Sequence, residues 1–162
     1  VTKSGLEQVI TEAAPALLGY FLRRVTVAED AADLVSETMI TAWKASRRVP
    51  EDPQEARMWL FGVARNVLRH HVRGSIRQDA LVVRLTRAIE AVQQPVDDDD
   101  LDVREAVATL PKKLSELIRL VHWDGFSLED AAAHLGIPAS TARSRHAKAK
   151  QILQKSLMST KM

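Results

Sequence analysis

The chain has 162 residues, a formal net charge of +2 and no cysteine, with 46% apolar but only 4% aromatic residues. That length supports one ordinary domain or two small helical ones, and the missing cysteines exclude disulfides and cysteine-ligated zinc. No apolar run approaches the roughly 18 residues needed to span a bilayer and no secretory h-region is visible, so a cytoplasmic protein without membrane insertion of its own is expected.

In chain order, Leu6, Val9 and Ile10 begin an apolar stripe at helical spacing, which Leu17, Leu18, Phe21, Leu22 and Val25 continue after Pro15. A second helix is predicted over Asp30 to Ala45, where Ala31, Leu34, Val35, Thr38, Met39, Ala42 and Trp43 recur on one side. Asp30 and Asp33 near its start suit the helix dipole. The run Val49-Pro50-Glu51-Asp52-Pro53 reads as a break, because two prolines exclude a regular helix. A third helix follows over about Glu55 to Arg73, with Trp59, Val63, Val67 and Val72 among its apolar positions and Gly74-Ser75 to end it.

Residues 76–102 are the least regular stretch: Gln93-Gln94-Pro95 and the run Asp97-Asp98-Asp99-Asp100 read as a flexible acidic linker. Helical patterning then resumes. Val103 to Leu110 stops at Pro111, and Leu114, Leu117, Ile118 and Val121 form the next stripe, which ends at Asp124-Gly125. The expected fold is all-α, with two small helical domains over residues 1–75 and 103–162 joined by the linker.

Charge is unevenly spread along this plan. From Ser140 to the C-terminus there is no Asp or Glu, while Arg143, Arg145, Lys148, Lys150, Lys155 and Lys161 all fall there. Arg65 to Arg87 carries six arginines against Asp79 alone. Two basic stretches flanking an acidic run suggest two surfaces facing nucleic acid.

The strongest local pattern spans Ser127 to Leu153. Ser127 can cap a helix, with Asp130 three residues later completing an approximate capping box. Leu128, Ala131, Ala132 and Leu135 lie at i, i+3, i+4 and i+7, and the small alanines let another helix approach closely. Gly136 supplies a left-handed turn residue, Ile137 an apolar plug, and Pro138 a backbone preorganised for a first helical turn. The following helix offers Ser140, Thr141, Arg143, Ser144, Arg145 and Lys148 while Ala142, Ala149 and Leu153 pack inward. Small polar residues and arginines at the N-terminal end of such a helix are what base edges in the major groove require. The pattern is a helix-turn-helix.

From these residues outward the chain resembles the extracytoplasmic-function group of sigma-70-type RNA polymerase sigma factors, over about Ala14 to Leu157. Leu110-Pro111 with the helix after it, Gly125-Phe126-Ser127-Leu128-Glu129-Asp130-Ala131-Ala132 and Thr141-Ala142-Arg143-Ser144-Arg145 are similar to region 4. Ala28-Glu29-Asp30-Ala31-Ala32-Asp33-Leu34-Val35-Ser36-Glu37-Thr38 is similar to region 2.2, and Trp59-Leu60-Phe61-Gly62-Val63-Ala64-Arg65-Asn66 to the helix of regions 2.3 and 2.4. The resemblance implies core RNA polymerase, promoter DNA and an anti-sigma factor as partners. It implies docking on polymerase through Asp33, Leu34, Ser36 and Glu37. It places the −10 element on Arg65, Asn66, Arg69, Arg73 and Trp59, with the Val49 to Glu55 loop forming a pocket for a base leaving the stack. It places the −35 element on Ser140, Thr141, Arg143, Ser144, Arg145 and Lys148. For Trp59 a packing role competes, since an aromatic in an apolar stripe usually belongs to a core. Ala32 and Ser36 stand where the family commonly has an acid and a glutamine, and Lys148 where it has arginine, whose planar fork lysine lacks.

Two other readings fit parts of the chain. One is a free-standing helix-turn-helix regulator with an N-terminal dimerisation or sensing domain, the other a purely protein-binding helical module. The basic helix at Arg65 to Arg73 and the docking motif speak against both. His70 and His71 are adjacent and point about 100° apart on a helix, and His122, His134 and His146 are scattered, so no metal or other cofactor is expected. No phosphate-binding glycine loop or nucleophile elbow appears, and an enzyme is not expected.

Overall fold

In the computed structural model, residues 3–74 and 98–160 are described, and they are helical with no strand among them. The chain divides into two compact units, residues 1–90 and 91–162.

The first unit is a bundle of α1 (Lys3–Leu22), α2 (Ala28–Lys44) and α3 (Pro53–Gly74), each packed against the other two. Its core is one stripe from each helix: Leu6, Ala13, Leu17, Tyr20 and Phe21 of α1, Ala31, Leu34, Thr38 and Ala42 of α2, and Ala56, Leu60, Phe61, Ala64 and Val67 of α3. Tyr20 sits edge-to-face on both Phe21 and Phe61, with centroids 5.4 and 5.6 Å away. The buried Thr38 hydroxyl donates to the Leu34 carbonyl at 2.7 Å, which removes the cost of an unpaired polar group. Helix α1 runs through Pro15 without ending, and Pro15 is exposed, so the carbonyl left unpaired one turn before it can be hydrated.

Helix α2 starts two residues earlier than expected, and two further boundaries differ for an electrostatic or steric reason. Helix α3 starts at Pro53, not Glu55, because a proline at the first helical position lacks only an N–H that has no partner there anyway. A short 3-10 turn at Ser46–Arg48 precedes it, leaving 49–52 as the loop, with Val49 buried as its anchor. In the second unit α4 spans Asp98–Thr109, so three of the four aspartates read as linker belong to a helix. Carboxylates are favoured at a helix N-terminus by its dipole, and an acidic run therefore serves a helix start as readily as a linker. Residues 75–97, which hold the rest of the expected linker, lie outside the described residues.

Helices α5 (Lys112–His122), α6 (Leu128–Leu135) and α7 (Ala139–Thr160) complete the second unit, and α7 packs on all three others. Val107, Leu110, Leu114, Ile118 and Ala149 form the central cluster, with Val103, Trp123 and Leu153 against it. Pro111 sets the corner between α4 and α5, and Gly125, at φ 77°, the corner between α5 and α6.

Candidate nucleic-acid interface

The corner between α6 and α7 is built from local chemistry. The Ser127 hydroxyl oxygen accepts the Asp130 backbone N–H at 3.0 Å, capping α6. At the other end Gly136 adopts φ 68° and ψ 33°. Its N–H bonds to the Ala133 carbonyl at 3.2 Å and the Ile137 N–H to the Ala132 carbonyl at 3.0 Å, the paired bonds of a Schellman turn. A Cβ on Gly136 would meet nothing within 4 Å. Backbone conformation, not space, is what calls for glycine here.

Helix α7 is two-sided. Ala142 and Ala149 are fully buried and Leu153 is half-buried, whereas Ser140, Arg143, Ser144 and Lys148 are exposed. Thr141 and Arg145 are half-buried. At about 100° per residue, Ser140, Ser144, Ala147 and Gln151 form the stripe opposite the buried alanines. Arg143 flanks one side of it, and Lys148, Thr141 and Arg145 the other. Ala147 was missed in the sequence because a methyl carries no charge signal, although i, i+4, i+7 counting from Ser140 finds it. Gln151 shares the stripe but lies about two turns farther from the helix N-terminus than Ser144.

On α3, Asn66 and Arg69 are exposed and Arg65 is half-buried, with Arg65 and Arg69 one turn apart. Arg73 continues that spacing in the helix backbone, its side chain lying outside the described residues. Trp59 is half-buried and packs against the cluster of Leu6, Val49 and Ala56, so it ties α1 and the 49–52 loop to α3. The Asp52 carboxylate accepts the Glu55 N–H at 3.0 Å at the start of the same helix. At the other end His71 Nε2 lies 3.6 Å from Asp30 Oδ2, linking α3 to the start of α2.

On α2 the expected docking residues separate. Asp33, Ser36 and Glu37 are exposed, but Leu34 is 2% exposed and faces the bundle core. One helical step away from Asp33, the Leu34 side chain turns inward and packs in the bundle, unlike the three exposed residues expected beside it. Ile40, 56% exposed, shares the face of Asp33, Ser36 and Glu37 at i+7, i+4 and i+3. It borders a groove of about 400 Å³ between α1 and α2, lined also by Glu7, Ile10, Met39, Trp43 and Lys44. Among the described residues no helix is long and apolar enough to cross a membrane.

Comparison with known proteins gives the same two-part division. The family described as Sigma-70 region 2 matches residues 9–78, and Sigma-70, region 4 matches residues 100–153. The ECF RNA polymerase sigma factor SigL of Mycobacterium tuberculosis is 31% identical over 140 residues, covering 83% of this chain and 78% of that protein. The RNA polymerase sigma-H factor of Pseudomonas aeruginosa is 26% identical, covering 87% and 80%. Among solved structures, the sigma factor RpoE in complex with the anti-sigma factor NepR from Bartonella quintana superposes with a TM-score of 0.68 at 26% identity, covering 94% of this chain and 96% of that one. CnrH, solved with the cytosolic domain of CnrY, shares the fold at a TM-score of 0.70 and 23% identity, covering 98% and 90%.

Proposed function

The chain belongs to the sigma-70 family of RNA polymerase sigma factors, in its extracytoplasmic-function group, and on that premise we propose how its residues divide the work of directing transcription initiation. The observation that carries the proposal is the two-sidedness of α7: buried alanines on one side, exposed serines and cations on the other, behind a capped and glycine-turned α6. That arrangement presents Ser140, Ser144, Ala147 and Arg143 to the major groove of a −35 element. Serines accept or donate to base edges, an alanine methyl fits a thymine methyl, and an arginine reads guanine in a bidentate fashion. Lys148, Thr141 and Arg145, on the other flank, set register against phosphate or reach base edges from the side.

The first unit carries the −10 function. Arg65, Asn66 and Arg69, with Arg73 next in register, face the melted strand, and the 49–52 loop receives the base that leaves the stack. Extrusion costs a few kcal/mol, so the receiving loop has to be held in place beforehand. Buried Val49 and the Asp52 cap supply that rigidity, and Trp59 contributes by packing beneath the loop. Asp33, Ser36, Glu37 and Ile40 form the surface for core polymerase, and its apolar centre within an acidic rim suits a basic, helical partner.

Domain limits of 1–75 and 103–162 follow from this division, the second extended back to Asp98 by α4. The protein acts in the cytoplasm, where polymerase and promoter are, and performs no chemistry of its own. An anti-sigma factor is its expected partner, and the similar RpoE was solved in complex with one, NepR. A free-standing repressor or activator is not favoured, since it would need no region 2. Pull-down with core RNA polymerase and run-off transcription test the proposal together: the chain binds core and core alone does not start the transcripts that the mixture starts. Failure of both would refute it.

A further inference from the structure

His122 ends α5 and His146 lies midway along α7. Their Nε2 atoms are 3.1 Å apart, their ring centroids 5.3 Å apart and their planes 19° from parallel. The centroids are separated by about the nitrogen gap plus the two ring radii, so the rings meet edge to edge, nitrogen facing nitrogen. Such a contact is an N–H···N hydrogen bond: one Nε2 carries a hydrogen and the other offers a lone pair. Two imidazolium rings would set N–H against N–H.

Burial, the charge of His122 and the charge of Lys150 hold His146 below the ordinary histidine value of 6.5, in that order of importance. An uncharged His146 offers a lone pair in one tautomer and a hydrogen in the other, and the bond to His122 forms either way. Arg143 lies one turn before His146 on α7, and Arg119 one turn before His122 on α5, its backbone carbonyl accepting the Asp124 N–H at 2.9 Å. The other elements packed on α7 bring Asp102, Arg104 and Glu105 from α4 and Glu129, Asp130 and His134 from α6, while Glu116 stands on α5. None of these carboxylates is among the charges that shift His146.

Elsewhere α7 meets α5 in the apolar cluster of Leu114, Ile118 and Ala149, with Leu153 against it, where the contacts are not directional. The His122 to His146 bond adds a directional contact between the same two helices. We propose that His122 is a positioning residue for −35 recognition: its hydrogen bond to an unprotonated His146 fixes the rotation of α7, and with it Arg143 one turn away, so that sequence selectivity falls when His146 gains a proton. This rests on the reading of α7 as the −35 helix.

The sign follows from the direction of the shift. A histidine whose pKa is lowered in the folded state contributes fully above its unfolded value, and the contribution is lost as pH falls through the folded one. Acidification also adds cations, which raises affinity for any DNA. The informative quantity is therefore the ratio of selected to scrambled duplex.

The test uses holoenzyme reconstituted from the full chain and core RNA polymerase. A motif is selected from a randomised duplex library, and the affinity ratio is then followed from pH about 7.5 to about 5.5. In the wild type the ratio falls roughly three- to tenfold, the equivalent of one ordinary hydrogen bond. His122→Gln keeps a high ratio throughout, because an amide can donate to a neutral His146 or accept from a charged one. His122→Ala has a low ratio at every pH. A flat wild-type profile, or a His122→Gln profile that falls as the wild type does, overturns the inference, and neither result depends on His122→Ala folding. If no motif is selected at any pH, the −35 reading itself is wrong and this inference falls with it.

Discussion

The Asp52 carboxylate closes the first turn of α3 by accepting the Glu55 N–H at 3.0 Å, with Pro53 as the first helical residue between them. The residue that ends the loop thereby also starts the helix proposed to face the −10 strand. Replacing Asp52 with Ala should cost the first unit about 1 kcal/mol, and with Asn only a few tenths. Urea unfolding followed by tryptophan fluorescence in a Trp123→Phe background reads this unit alone, since Trp43 and Trp59 both lie in it. An Ala variant as stable as the parent would remove the cap from the account.

Gly136 is required by its φ of 68° and not by crowding. Gly136→Ala should destabilise the second unit by about 1–2 kcal/mol, while Gly136→Asn, which tolerates the left-handed region, should cost less. Thermal unfolding followed through Trp123 orders the three proteins. Equal losses for Ala and Asn would show that something other than backbone strain is at work.

Docking and packing separate on α2. Ile40→Ala should leave stability nearly unchanged and weaken core polymerase binding by about 1 kcal/mol, some fivefold. Leu34→Ala should instead cost about 2–5 kcal/mol of stability, because it leaves a cavity in the bundle. Titration of labelled polymerase beside an unfolding curve reads both. A stable Leu34→Ala protein that binds core poorly would return Leu34 to the docking surface.

Recognition and neutralisation separate on α7. Arg143→Ala should lower selectivity for the −35 element by about 1–3 kcal/mol, and Arg145→Ala by less, since Arg145 lies nearer the buried stripe. Lys155→Ala should weaken all duplexes alike and reduce the salt dependence by about one counterion. Competition binding of holoenzyme at two salt concentrations makes the comparison. A sequence-selective loss at Lys155 would contradict its assignment.

What could be read from the sequence was what local chemistry determines. Ser127, Gly136 and the alanines of α6 specify their corner within a dozen residues, and the spacing alone showed it. Pro53 was misread because proline breaks helices everywhere except the first turn, and the Asp52 cap that marks that turn was overlooked. Asp98 to Asp100 were misread because acidic residues suit a linker and a helix N-terminus equally. Leu34 shows a different limit: a motif says which residue type occurs, while burial depends on how the neighbouring helices roll against it. The His122 to His146 bond spans 24 positions on two helices, and no local pattern announces a pair created by packing.

The central claim is that this chain gives core RNA polymerase a promoter preference through two DNA-reading helices. It is tested most directly by transcription from a library of genomic fragments with core polymerase, with and without the full chain. The account predicts new transcripts that start downstream of a shared pair of sequence elements, with Arg143→Ala depleting those that depend on the upstream one. A transcript profile identical with and without the protein, from polymerase shown to be active with another sigma factor, would contradict it.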